Sequence, residues 1–410
     1  AGAWCGQNKY LSAIKNAFQN FMPLTIAGAI GVLWCNVLVN DQTGLGLFFK
    51  PIMALDFLNP AFQAVNFCTI SCITVGITLG IAQEIGVWNM GAERAGYIPG
   101  LVGLAAWLSV TNTSHMVEGA KEAFTGIAGN ELGATGLFTG MIIGVLSVEL
   151  FCFFEKQDAL KIKMPEQVPP GVARAFEVLV PATITLIITA CIGSACYNLT
   201  GLYLNDVIKN GIQGPLGAVG ATIPGVMIIY LVIMLFWLVG IHGNNMLSAV
   251  KEALFTPLAL ENVEKFNKGE KPTNIINMYA LQMWGEFGGS GVTIGLVIAI
   301  MIFGKREDNK AIATLSLVPG LFNINETVTF GIPMVLNPIL GIPFVFACLV
   351  TILVGYVLTV IGFCPVACLT VPWTTPPIVF GFLATGANVM GAVTQAILIV
   401  VSTVIYVPFL

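Results

Sequence analysis

Nine apolar runs recur along the sequence, and each is close to the roughly 20 residues that a helix needs to cross a bilayer core. The runs lie at residues 17–39, 60–83, 95–111, 133–154, 178–197, 223–241, 288–304, 341–362 and 389–410. Apolar residues make up 56% of the 410 positions and charged residues only 9%, whereas a soluble domain is about 25% charged. The sequence therefore predicts an all-α polytopic membrane protein in contact with the lipid bilayer.

Charge and motif content exclude several classes of function. Lys and Arg total 17 against 21 for Asp and Glu, so the chain has no basic face for nucleic acid. It contains no GxxxxGK[ST] loop for gripping a nucleotide phosphate. The ten cysteines show no metal-ligand spacing and are interpreted as small core residues. We expect no cofactor, no metal site and no nucleic-acid partner.

The distribution of basic residues predicts the topology. Lys and Arg concentrate in the loop at 155–177, which the positive-inside rule places in the cytoplasm. The basic cluster at 305–310 falls on the same side only if the stretch at 242–287 contains one further crossing. That stretch is long enough for a crossing and a re-entrant hairpin near 242–265. This interpretation gives ten transmembrane helices with both termini cytoplasmic.

A second irregular segment lies at 315–340, where Pro, Gly and Asn interrupt an apolar stretch. Irregular backbone at membrane depth occurs only where it is buried in protein or lines a cavity. Interrupted helices of this kind often mark a transport site. A surface loop is the alternative, and the many apolar side chains of the segment argue against it. The sequence thus predicts a second re-entrant hairpin here.

Two ionisable residues in these irregular segments are candidates for chemistry, because an ionisable group inside a membrane is costly. Glu326 lies beside Asn323 and Asn325, and a carboxylate among amides suits sugar hydroxyls. It could instead be a structural carboxylate that caps a half-helix. His242 ends an apolar run and precedes Gly243. Alone it could be a satisfied helix-end residue, but with Glu326 it suggests an acid–base pair.

Glycines and tryptophans supply the remaining candidates. Gly288 and Gly289 belong to a Gly-rich stretch after Glu286, which allows close approach of a ligand or of another helix. Trp237 and Trp373 are either membrane-interface anchors or platforms on which a sugar ring stacks. Trp373 lies in a Pro-broken stretch and is the better stacking candidate.

Several of these motifs occur together in one known family. Gly-Ile-His-Gly at 240–243, Gly-Gly-Ser-Gly at 288–291 and Phe-Asn-Ile-Asn-Glu at 322–326 resemble the membrane permease, enzyme IIC, of the bacterial sugar phosphotransferase system. Within that family the chain resembles the lactose, cellobiose and diacetylchitobiose branch. The resemblance implies a homodimer in the bacterial cytoplasmic (inner) membrane. It also implies a scaffold and dimerisation domain at 1–222 and a substrate-binding and transport domain at 223–410.

The resemblance further implies the reaction. The family imports a disaccharide, such as diacetylchitobiose or cellobiose, by alternating access. The sugar 6-hydroxyl receives a phosphoryl group from a phosphocysteine of enzyme IIB, a separate chain, so whether the permease itself counts as an enzyme is left open. Glu326 and His242 are the implied catalytic residues. The predicted sugar-binding set comprises Glu326, His242, Gly243, Trp237, Gly288, Gly289, Asn323, Asn325 and Trp373.

One rival function uses the same residues. In a proton-coupled secondary sugar transporter, Glu326 and His242 would form a proton relay. A channel-like assembly is less compatible with broken helices that carry a carboxylate. Dependence of uptake on a proton gradient, without a phosphorylated partner, would favour the secondary transporter.

Overall fold

The computed structural model describes residues 8–41, 45–115, 124–165, 167–215, 220–332, 334 and 337–410. These residues are mostly helical. The α-helices are α1 Lys9–Leu33, α2 Asn59–Asn66, α3 Ile73–Met90, α4 Ala92–Ala95, α5 Ile98–Val110, α6 Gly129–Leu132, α7 Leu137–Glu155, α8 Pro170–Thr200, α9 Leu204–Ile208, α10 Ile223–Leu238, α11 Gly243–Met246, α12 Ser248–Asn267, α13 Met278–Gly285, α14 Ile294–Phe303, α15 Glu307–Leu321, α16 Glu326–Gly331, α17 Pro338–Val360, α18 Val379–Ala384 and α19 Val389–Tyr406.

Short irregular elements complete the described chain. Tight 3-10 turns occur at Leu45–Leu47, Lys50–Leu58, Asp158–Leu160 and Val407–Phe409. Wider π-helical turns occur at Trp34–Leu38, Phe67–Ser71 and Lys209–Gln213. Two antiparallel strands, β1 Ser114–His115 and β2 Phe124–Thr125, pair Ser114 with Thr125.

Each of the nine apolar runs contains a helix, which confirms the helical membrane class. Among the described residues, five helices are long and apolar enough to cross a membrane. They are Lys9–Leu38, Leu137–Glu155, Pro170–Thr200, Ile339–Val360 and Val389–Phe409. A sixth arises if the bent pair Lys50–Ser71 and Ile73–Met90 forms one span, and α5, α10 and α14 are shorter apolar helices. The number of ten crossings stays a prediction.

The chain forms two compact units. One contains the described residues of 7–24 and 69–216, and the other those of 25–68 and 217–410. Residues 25–68 therefore group with the C-terminal part of the chain. The functional division at residue 222 stays a prediction.

In the first unit, helices α3, α5, α7 and α8 pack on one another through small residues. A Cβ atom added at Gly103 would lie 2.3 Å from the Cβ of Ala82, and one at Gly140 would lie 2.2 Å from Thr78 Oγ1. Close packing over small residues replaces the hydrophobic driving force that lipid cannot supply. This unit contains none of the predicted site residues.

In the second unit, α17 and α19 pack against each other and around the shorter helices α13 and α14. Buried polar side chains fix the irregular segments between these helices. The Gln395 side chain of α19 accepts hydrogen bonds from the backbone N–H groups of Ile378 and Gly381 at 2.8 and 2.7 Å. The Tyr406 hydroxyl donates to the carbonyl of Gly291 at 2.7 Å. The segments that carry the site are thus held by hydrogen bonds to the helix core.

Both predicted hairpin regions contain helix breaks. The region 242–265 comprises α11 and most of α12, and the region 315–340 comprises the end of α15, the break at 322–325 and α16. Pro333, Val335 and Leu336 of the second region lie outside the described residues. Re-entry of these segments into the membrane stays a prediction.

Candidate functional site

The two predicted catalytic residues lie next to each other in the second unit. His242 Nε2 is 3.8 Å from Glu326 Oε1, and their side chains are 37% and 47% exposed. His242 caps the start of α11, where its Nδ1 accepts a hydrogen bond from the backbone N–H of Asn245 at 3.2 Å. In the neutral ring the proton therefore resides on Nε2, the nitrogen that faces the Glu326 carboxylate.

Trp237 supports the imidazole of His242. The two ring centroids are 4.4 Å apart, and the Phe330 ring also neighbours Trp237 with a centroid distance of 6.4 Å. The Trp237 side chain is buried near the end of α10. Its contact with His242 restricts the orientation of the ring that faces Glu326.

Gly243 allows α11 to pack directly on α10. A Cβ atom at this position would lie 2.0 Å from the carbonyl oxygen of Ile233, far inside a real contact distance. The glycine next to His242 is therefore required by backbone packing.

A Gly-rich turn follows α13 and reaches the Glu326 segment. Gly288 and Gly289 have φ angles of +71° and +87°, in the left-handed region that favours glycine. The Gly288 N–H donates to Asn323 Oδ1 at 2.6 Å, and Asn325 Nδ2 donates to the carbonyl of Ser290 at 2.9 Å. A Cβ at Gly289 would lie 2.7 Å from the Asn325 side chain. The turn is thus held against the segment that presents Glu326.

Asn323 joins this turn to the Pro-broken stretch that carries Trp373. Its Nδ2 donates to the carbonyl of Trp373 and, at 3.1 Å, to the carbonyl of Thr375. Trp373 itself is 45% exposed. The sequence predicts Asn323 and Asn325 as sugar ligands, and in the structure their amides also connect backbone segments.

A buried ion pair lies beside these residues, and the sequence did not place its lysine in the site. Lys251 Nζ contacts Glu286 Oε1, and the Tyr230 hydroxyl donates to the same oxygen at 2.6 Å. Asn244 Nδ2 donates to Ser290 Oγ at 2.9 Å, and Lys251 Nζ is 3.5 Å from Asn244 Oδ1. Lys251 could have been suspected because an ammonium inside a predicted hairpin is costly.

The second unit thus brings all the predicted site residues into one connected set of contacts. Its broken helices expose an acid–base pair beside an aromatic side chain, within a chain that contains several membrane-length apolar helices. Among the described residues, no cluster of His, Cys, Asp and Glu could hold a metal ion. These features are typical of a transporter for a small polar solute.

Comparison with known proteins identifies the family. A model described as "Phosphotransferase system, EIIC" matches residues 15–348. The oligo-beta-mannoside-specific EIIC component of Bacillus subtilis (strain 168) is 34% identical over 408 residues, covering 98% of this chain and 89% of that protein. The cellobiose-specific EIIC component of Lactococcus lactis subsp. lactis (strain IL1403) is 29% identical, covering 98% and 94%.

A solved structure agrees with this comparison. It is the crystal structure of the transporter ChbC, the IIC component from the N,N'-diacetylchitobiose-specific phosphotransferase system. The TM-score is 0.90 with 29% sequence identity, and the match covers 99% of this chain and 94% of that chain. The chain belongs to the EIIC family of the phosphotransferase system, which confirms the resemblance inferred from its motifs. It is therefore a multi-pass sugar permease of the cytoplasmic membrane.

Proposed function

We propose that this protein imports a disaccharide of the diacetylchitobiose or cellobiose type and presents its 6-hydroxyl for phosphorylation by enzyme IIB. The single observation that carries the proposal is the Glu326–His242 pair, partly exposed and 3.8 Å apart. The sugar class is supported by relatives named for cellobiose and oligo-beta-mannoside and by the structural match named for N,N'-diacetylchitobiose.

The chemistry follows from the two side chains. The sugar hydroxyl oxygen attacks the phosphorus of the phosphocysteine on enzyme IIB, so an O–P bond forms and the P–S bond breaks. The sulfur leaves as the thiolate of enzyme IIB, and the hydroxyl proton passes to the Glu326 carboxylate. His242 directs its Nε2 proton toward this carboxylate and keeps it oriented. Phosphoryl transfer otherwise requires mainly positioning.

The remaining predicted residues shape the site around the sugar. Trp373 is exposed enough to stack on a sugar ring. Gly288, Trp237 and Asn325 are buried around the site, and the Gly288 N–H donates to Asn323. Gly243 and Gly289 let the backbone approach closely.

In the proposed function, two copies of the permease work together as a homodimer. Residues 223–410 bind the sugar and shift by alternating access against a scaffold at 1–222 that forms a homodimer, with both termini in the cytoplasm. Phosphorylation then retains the product inside the cell. The resemblance of the motifs and the family membership support this arrangement.

The test is phosphotransfer by the purified protein in proteoliposomes. Cellobiose and diacetylchitobiose are supplied outside, and phosphorylated enzyme IIB of a cellobiose-specific system is enclosed. Glu326→Gln keeps the shape but removes the base, so we expect transfer to fall by about 10²-fold or more. Glu307→Gln, which changes an exposed carboxylate on α15, is the matched control.

Two results would contradict the proposal. One is transfer by the Glu326→Gln variant at the wild-type rate. The other is sugar accumulation that follows an imposed proton gradient without phosphorylated enzyme IIB, which would establish the proton-coupled transporter instead.

A further inference from the structure

The ion pair between Lys251 and Glu286 is largely buried. Its side chains are 6% and 16% exposed, whereas those of Lys268 and Glu264, an ion pair at the end of α12, are 58% and 42% exposed. Removing two charges from water is expensive, and apolar residues of similar volume often stabilise a fold equally well. Stability alone is therefore a weak explanation for this pair.

The pair anchors the start of the Gly-rich turn. Glu286 is the first residue after α13, and its Oε1 is bound by Lys251 of α12 and by the Tyr230 hydroxyl of α10. Two elements thus converge on one carboxylate oxygen. The Lys251 ammonium also lies 5.4 Å from the centroid of the Tyr230 ring, which adds a cation–π attraction.

Four residues further along, Ser290 connects the segments of both catalytic candidates. Its Oγ accepts from Asn244, two residues after His242. Its carbonyl accepts from Asn325, the residue before Glu326. The position of the turn therefore affects the separation between His242 and Glu326.

We propose that Lys251 and Glu286 are positioning residues for phosphotransfer: the pair fixes the Gly-rich turn, and through Ser290 the turn holds His242 and Glu326 in register. This inference rests on the function proposed above. The pair acts through the turn and is not assigned a contact with the sugar.

A purely structural pair and a positioning pair predict different outcomes for the double variant Lys251→Met/Glu286→Gln. Removing both charges leaves no unpaired buried ion. The side-chain amide oxygen that Glu286→Gln introduces can still accept a hydrogen bond from the Tyr230 hydroxyl, so folding is retained. The ammonium tether on the turn is nevertheless lost. A misplacement of about 1 Å can cost about 10²-fold in rate. The double variant should therefore regain stability but not the rate of phosphotransfer.

The experiment compares wild type, Lys251→Met, the double variant and Lys268→Met, which breaks the exposed pair at the end of the same helix. Thermal unfolding, cellobiose and diacetylchitobiose affinity, and the transfer rate at saturating sugar are measured for each. We expect the Lys251→Met variant to unfold at a lower temperature and the double variant to unfold close to wild type. The double variant should transfer at least about tenfold more slowly at saturating sugar, and Lys268→Met should match wild type.

A double variant that transfers within twofold of wild type would overturn the inference. If the double variant does not fold, Asn244→Ala replaces it, because this change breaks the contact with Ser290 Oγ without burying a charge. A wild-type transfer rate in Asn244→Ala would equally overturn the inference, and a several-fold loss would support it.

Glu326→Gln, run in the same series, separates this inference from the proposed function. If Glu326→Gln retains activity, the proposed function fails. If Glu326→Gln is inactive while the double variant is fully active, only the positioning role fails.

Discussion

Replacing Asn323 tests how the three segments of the site are joined. Asn323 has a φ of +63°, and its amide makes three hydrogen bonds, with the N–H of Gly288 and the carbonyls of Trp373 and Thr375. Hydrogen bonds within membrane proteins contribute about 0.6 kcal/mol each. Losing three of them should therefore lower the free energy of unfolding by about 2 kcal/mol in both Asn323→Gly and Asn323→Ala.

The two variants differ in the backbone. A left-handed φ costs roughly 1 kcal/mol for a residue with a Cβ, but glycine adopts it readily. Asn323→Ala should thus be about 1 kcal/mol less stable than Asn323→Gly, although alanine usually stabilises a chain relative to glycine. This inverted order is specific to the conformation at residue 323.

The assay is reversible unfolding in mixed micelles with increasing dodecyl sulfate, followed by tryptophan fluorescence, with sugar affinity measured on the folded protein. The expected order of stability is wild type, then Asn323→Gly, then Asn323→Ala. An alanine variant as stable as the glycine variant would refute the backbone argument. If both variants unfold within about 0.5 kcal/mol of wild type, the three hydrogen bonds contribute less than about 0.6 kcal/mol each.

Three further changes test other parts of the structure. Gly243→Ala places a Cβ 2.0 Å from a carbonyl oxygen of α10, so we expect loss of sugar binding and of folded yield, whereas Gly171→Ala, with open space around it, should leave both unchanged. Trp373→Ala removes an exposed stacking surface and should weaken sugar affinity several-fold by calorimetry, with an unchanged unfolding midpoint. The hydrogen bond and charge of Lys161 lower the pKa of the Asp158 carboxyl below its usual range. The ion pair therefore stabilises the fold at pH values above the pKa that Asp158 has in the unfolded chain, and this stabilisation is lost as the pH falls through the lower pKa of the folded state. Lys161→Met should raise the midpoint of the Asp158 titration followed by carbon NMR.

The sequence predicts the helices of this protein well, because their cause is local. A run of about 20 apolar residues is helical in a bilayer since no other backbone conformation satisfies its own hydrogen bonds there. The Gly-rich turn at 288–291 was not predicted: the sequence places it at the start of the apolar run 288–304, whereas α14 begins only at Ile294. The grouping of residues 25–68 with the C-terminal unit was not predicted, since it depends on packing between distant segments.

The candidate site was predicted in part for a similar reason. Glu326 and His242 could be paired from the sequence, because an ionisable residue in an irregular intramembrane segment is rare enough to attract notice. Glu286 attracted notice too, but its partner Lys251 is 35 residues away. Nothing local to either residue indicates that they form an ion pair. The amide partners of Asn323 likewise lie 35 and more residues away in sequence.

Exposure separates eight of the nine predicted site residues into two groups, and Asn323 has intermediate exposure. Asn325, Trp237, Gly243, Gly288 and Gly289 are buried and hold broken helix ends together. A helix break leaves backbone N–H and C=O groups without helical partners, and the amide side chains of Asn323 and Asn325 pair two of them, the Gly288 N–H and the Ser290 carbonyl. The carboxylate, imidazole and indole of Glu326, His242 and Trp373 are partly exposed, so in the proposed function they are the groups that contact the sugar. A sugar offers this combination of partners: a hydroxyl for the acid–base pair and an apolar ring face for the indole.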